Sequence, residues 1–112
     1  MQFYKFSNTS MFSIGVDALW LDATEPEFFP NENQSVYLGS GNYYFNPYSL
    51  MVTTAIKDGL TQDRPDMRVF SLTRSSFAGQ QRTGGVLWSG DIAGTWDSLR
   101  RQVSLKMSTY IQ

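Results

Sequence analysis

Three short runs that read as buried strands, Val16–Leu21, Arg68–Thr73 and Val86–Trp88, each lead to a charged side chain, and this arrangement limits the fold more than any other feature. The charges are Asp22, Arg74 and Asp91. A stripe of Tyr48, Met51, Val52, Ala55 and Ile56 at helical spacing separates the first two runs. Strand, helix, strand, short crossover, strand and helix predict an α/β fold with a parallel sheet and right-handed connections. Such folds keep their chemistry at the carboxyl ends of their strands. The pattern therefore aligns two acids and an arginine at successive strand ends.

The remaining elements follow from local signals. Phe3, Phe6, Met11 and Phe12 are loosely spaced as on an amphipathic helix over Gln2–Ile14, although Ser7, Asn8, Thr9 and Ser10 compete for its backbone hydrogen bonds. Gly15 suits the left-handed position that closes a helix. Residues 23–45, with Pro26, Pro30, Gly39 and Gly41, read as one long irregular stretch. Asn46 and Pro47 predict a helix start, with asparagine as cap and proline in the first turn, and Gly59 predicts its end. Thr95 is expected to cap a last helix bearing Trp96, Leu99 and Val103 at matching intervals, with Trp96 and Leu99 in the core. Gly79, Gly84, Gly85 and Gly90 suggest tight turns; no Lys-Ser/Thr follows them, and the dinucleotide-binding spacing is absent.

Composition narrows the chemistry. The 112 residues make one domain at most, 1–112, and contain neither cysteine nor histidine. Disulfides, thiolate nucleophiles, Ser-His-Asp catalysis and the commonest zinc ligand are thereby excluded. Nine basic and ten acidic residues give a net charge of −1, so neither nucleic acid nor an anionic membrane is the expected partner. No apolar run reaches the length of a membrane span, and the N-terminus lacks a basic-then-apolar leader pattern, which leaves the compartment open. Many of the aromatic residues, 15% of the chain, fall in expected loops, where packing is the better explanation for most and stacking on sugar rings the alternative.

Taken singly, the candidates have ordinary explanations. Asp22 is most simply a solvated turn residue or helix cap, Glu25 and Glu27 surface charges, Arg74 a salt-bridge partner and Arg82 structural. Together, two carboxyls and a cation at neighbouring strand ends suit hydrolysis of a glycosidic bond. One acid protonates the leaving oxygen and the other, ionised, meets the oxocarbenium-like carbon. Carboxyls about 5–5.5 Å apart do this with retention of configuration.

At these residues a resemblance appears. Gly15-Val16-Asp17-Ala18-Leu19-Trp20-Leu21-Asp22-Ala23-Thr24-Glu25-Pro26-Glu27 resembles glycoside hydrolase family 31, the α-glucosidases and α-xylosidases. So do Arg68 through Arg82, Trp88-Ser89-Gly90-Asp91-Ile92, and Trp96 with Leu99-Arg100-Arg101-Gln102, in the family's order. The Asp-Ala-Thr-Glu-Pro-Glu form and the Tyr44-Phe45-Asn46 helix entry look most like bacterial α-xylosidases. The resemblance implies a partial (β/α)8 TIM barrel, about strands four to six with their helices. It implies a carbohydrate substrate, an α-xyloside or α-glucoside, and no metal or organic cofactor. Asp22 matches the nucleophile, Asp91 the acid/base and Arg74 a binder of sugar hydroxyls, while Trp20, Trp88 and Glu25 shape the subsite. The chain departs from the family at Leu19, at Thr83 and after Val103, where it reads Ser104-Leu105-Lys106-Met107.

An eight-stranded barrel takes roughly 250 residues, so the chain reads as a fragment. Exposed sheet edges are then expected to drive self-association. The alternative to an enzyme is accordingly a non-catalytic piece that folds by oligomerising and at most binds sugar weakly. Little or no activity is expected of the 112 residues alone.

Overall fold

The computed structural model describes residues 2–26 and 34–110, with side chains to Ser104. Helix α1 covers Gln2–Ser10, and a 3-10 turn follows at Phe12–Ile14. The single helix expected over Gln2–Ile14 breaks at Met11, where φ is −129°. Around this break the hydroxyls of Ser7, Thr9 and Ser13 donate to carbonyls one turn back, the competition that local hydroxyls offer a helical backbone. Gly15 closes the turn in the expected left-handed conformation, φ 102°, its N–H donating to the Phe12 carbonyl.

Strand β1 is Leu19–Leu21, shorter than the run that predicts it. The stretch expected to be irregular contains a two-stranded antiparallel ribbon, β2 Ser35–Val36 with β3 Gly39–Ser40, and a short helix α2, Gly41–Tyr44. Glu27 and Pro30 lie outside the described residues. Helix α3 spans Tyr48–Asp63 and has no side-chain cap. Asn46 is not needed there, because α2 runs almost directly into α3: the Tyr48 N–H reaches the Phe45 carbonyl and the Met51 N–H the Pro47 carbonyl. Nor does Gly59 end the helix. It is buried against the Tyr4 ring, where a β-carbon would lie 2.3 Å from ring atoms, so it lets α1 and α3 approach closely.

Strands β4, Ser71–Thr73, and β5, Gly85–Leu87, complete a three-stranded sheet of order β1-β4-β5, parallel throughout. The α/β class and parallel strands are as expected, and the sheet does not close into a barrel. One face of the sheet packs against α1 and α3 through Tyr4, Phe12, Leu19, Leu21, Val52, Ile56 and Leu60. Val52 and Ile56 confirm the α3 stripe, but Met51 sits at its exposed margin.

Helix α4 spans Trp96–Tyr110, and Thr95 caps it as expected, Oγ1 accepting the Ser98 N–H at 3.2 Å. The core assignment of Trp96 and Leu99 fails: they are 86% and 53% exposed, and Val103 on the same stripe is 60% exposed. The stripe has the right period, yet no described element covers it. No helix among the described residues is long and apolar enough to cross a membrane.

Candidate active site

The three parallel strands end in register. Leu21, Thr73 and Leu87 form the last paired row, and the Trp88 N–H then donates to the Thr73 carbonyl. Successive side chains in a strand point to opposite faces. Leu19, Leu21, Ser71 and Thr73 are buried on the side of the helices. The alternate positions, Trp20 and then Asp22 on β1, Leu72 and then Arg74 on β4, Val86 and then Trp88 on β5, belong to the opposite face. Alternation thus delivers Trp20, Asp22, Arg74 and Trp88 to one side of the sheet, at its carboxyl end.

On that side Arg74 is the hub. Its Nη1 lies 3.3 Å from Asp22 Oδ1, while Nε and Nη2 both reach Glu25 Oε1 at 2.5 Å. The Arg74 side chain is 26% exposed and that of Asp22 57%, so these pairs add little to folding stability and act mainly to orient one another. Asp22 Oδ1 also accepts the Ala23 N–H at 2.8 Å. Ala23 has φ 51°, the only positive φ at a non-glycine residue among those described. Such conformations persist only where neighbours over-determine them, and they gather at functional sites.

The Trp20 and Trp88 rings meet edge to face, 5.6 Å apart at 80°, beside this cluster. Gly90 brings the loop after β5 onto Arg74. Its φ is 74°, and a β-carbon there would lie 3.1 Å from Arg74 Cδ, a position that favours glycine on both counts. Asp91 follows directly and is exposed, with no hydrogen bond or ion pair to a described residue. The structure therefore joins Asp22, Glu25 and Arg74 in one ionic cluster and Trp20 with Trp88. It sets the backbone preceding Asp91 against that cluster without drawing the Asp91 carboxyl into it.

Several supporting residues escaped the sequence reading. Thr24 and Thr73 are buried and share a hydrogen bond of 2.6 Å. Gln80, also buried, accepts from the Ser49 hydroxyl and the Phe77 N–H and donates to the Ser75 carbonyl. It thereby fixes the loop after Arg74 to α3. Thr73 lies in a run that reads as a buried strand, but nothing in a single sequence distinguishes Thr24 or Gln80 from a surface polar residue. Among the described residues no group of three or more acidic side chains is placed to hold a metal ion.

A family model described as the Glycosyl hydrolases family 31 TIM-barrel domain matches residues 1–111. The chain belongs to glycoside hydrolase family 31. It is 43% identical over 99 residues to the α-xylosidase of Saccharolobus solfataricus, covering 82% of this chain and 13% of that protein. It is 36% identical to human neutral α-glucosidase AB, covering 80% of this chain and 10% of that protein. Among solved structures, a family 31 dextranase of Flavobacterium johnsoniae complexed with glucose superposes with a TM-score of 0.78 at 24% identity. That match covers 91% of this chain and 14% of the dextranase. The family 31 segment described here is thus a part of a TIM barrel, three parallel strands with their helices, about one-tenth to one-seventh the length of these relatives.

Proposed function

We propose that this segment carries the catalytic centre of a retaining α-glycosidase that acts on α-xylosides or α-glucosides. Asp22 is the nucleophile and Asp91 the acid/base. In the first step Asp91 gives its proton to the glycosidic oxygen as the Asp22 carboxylate attacks the anomeric carbon, forming a glycosyl ester and releasing the alcohol. In the second, Asp91 takes a proton from water, the resulting oxygen nucleophile attacks the same carbon, and Asp22 departs as carboxylate. Two inversions give net retention. The mechanism calls for no metal or organic cofactor.

The observation that carries this reading is the Arg74 guanidinium held between Asp22 and Glu25 at adjacent strand ends. Glu25 takes Nε and Nη2, which leaves Nη1 toward Asp22. A guanidinium so placed pairs with both carboxylates and is a donor type suited to sugar hydroxyls. Trp20 and Trp88 supply flat apolar walls beside it. The Asp22 side chain, 57% exposed, is open to an incoming substrate.

A second reading is favoured by one observation, the exposed apolar stripe of α4 in a segment whose sheet of three strands stays open. In it, the 112-residue chain is non-catalytic and folds by self-association. One assay separates the two: hydrolysis of p-nitrophenyl α-xyloside and α-glucoside by the chain and by its Asp22→Ala and Asp91→Ala variants. Turnover abolished by both substitutions supports catalysis, and turnover that survives either one refutes the assignment. An inert chain that sediments as an oligomer supports the second reading, and a compact monomer refutes it.

A further inference from the structure

We infer that Thr24, acting with Thr73, is a positioning residue for this reaction: a closed ring of hydrogen bonds from their buried hydroxyls sets the spacing of the segments that carry Asp22 and Arg74. The inference rests on the reading of Asp22 as nucleophile.

The ring has one consistent direction. The Ser75 N–H donates to Thr24 Oγ1 at 3.3 Å, Thr24 and Thr73 hydroxyls are 2.6 Å apart, and Thr73 Oγ1 donates to the Ser75 carbonyl at 3.2 Å. A hydroxyl has a single proton. Because Thr73 gives its proton to Ser75, Thr24 must be the donor between the two threonines, and the circuit closes with every proton used once. Thr24 is 4% exposed and Thr73 fully buried, so water does not compete for these bonds.

The ring clamps two short pieces of chain. Thr73 and Ser75 bracket Arg74, while Thr24 lies between Ala23 and Glu25. Inward Thr24 thus anchors the chain between two outward carboxylates, Asp22 and Glu25, both paired with Arg74. It also anchors the far side of Ala23, the residue with φ 51°. The ion pairs themselves are partly solvated, and pairs of that kind are weak. The dry ring is the stiffer constraint, and threonine's restricted χ1 adds to it. From Ser75 the constraint continues inward, since the same carbonyl accepts from Gln80 Nε2, and Gln80 Oε1 accepts from Ser49 of α3.

The test compares Thr24→Val, which preserves shape and removes the hydroxyl, with Thr24→Ser, which restores it. In the full-length protein Thr24→Val is expected to lower kcat on the order of 10- to 100-fold with KM little changed, the scale of a displacement approaching 1 Å. Thr24→Ser is expected to recover most of that loss. In 15N spectra of the chain, the Arg74 Nε–H resonance is expected to shift in Thr24→Val and return in Thr24→Ser. An unchanged Arg74 resonance with unchanged kcat overturns the inference. If Asp22→Ala keeps turnover, the nucleophile assignment fails instead, and the Arg74 resonance alone decides whether the ring positions it. Should Thr24→Val not fold, the native chain supplies the measurement: slowly exchanging hydroxyl protons on Thr24 and Thr73, close enough for mutual NOEs, support the ring, and their absence overturns it.

Discussion

Gly59→Ala tests how the helical layer behind the site is assembled. The added methyl would lie 2.3 Å from Cγ and Cδ1 of Tyr4 and 2.5 Å from Cδ2. Ordinary carbon contacts fall at about 3.5–4.0 Å, so the ring must retreat by roughly 1 Å or more. It is not free to do so. Its hydroxyl donates to Asp63 Oδ2 at 2.6 Å, one turn further along the same helix, and Asn8 of α1 donates to that same oxygen at 3.0 Å. Overpacking costs about 1–3 kcal/mol, and losing a hydrogen bond to a charged group about 1.5–3 kcal/mol. Alanine returns roughly 1 kcal/mol of helix propensity. The expected net loss is about 2–4 kcal/mol, a drop in Tm on the order of 10–20 °C for a domain of this size. Urea unfolding followed by circular dichroism measures it. The same substitution in a Tyr4→Ala background should be neutral or stabilising, because the obstructing ring is gone. A Gly59→Ala chain more stable than wild type, or an equal loss in both backgrounds, would refute the reasoning.

Two further outcomes follow from the structure. Burial, then the hydrogen bond to Asp63 and that residue's charge, push the Tyr4 phenol up to about 12 from an ordinary 10.0, against the lowering influence of Arg64. Its contribution to stability is therefore complete below pH 10 and is lost as pH rises from 10 to about 12; urea midpoints across that window should fall, and fall less in Tyr4→Phe. Thr95→Ala removes the acceptor for the Ser98 N–H and should cost about 1 kcal/mol of helix stability. Since no described element covers the apolar stripe of α4, the loss should appear as faster amide exchange at Ser98 rather than as a lower global stability.

The shared face of Asp22 and Arg74 in the candidate site was legible because strand-end residues follow a rule of alternation. Once Trp20-Leu21-Asp22 and Leu72-Thr73-Arg74 are read as parallel strand ends, their outward residues must share a face. Local capping was legible at Thr95 and Gly15 for similar reasons, since both act within a few residues of themselves. What escaped depended on partners far along the chain. Gly59 carries the usual sign of a helix end, and only the Tyr4 ring, brought in from α1, shows that its missing side chain serves packing. Thr24 looks like a surface polar residue until the fold sets its hydroxyl 2.6 Å from that of Thr73. On α4 the period correctly gave a helix with one apolar face, but periodicity says nothing about what covers that face.

The central claim is that Asp22 becomes covalently bound to the sugar during turnover. The full-length protein, incubated with a 5-fluoro-α-glycosyl fluoride and digested, should yield a single peptide heavier by one fluoroglycosyl group, with fragmentation placing that group on Asp22. A label on Asp91, on Glu25 or on any other side chain would contradict the account.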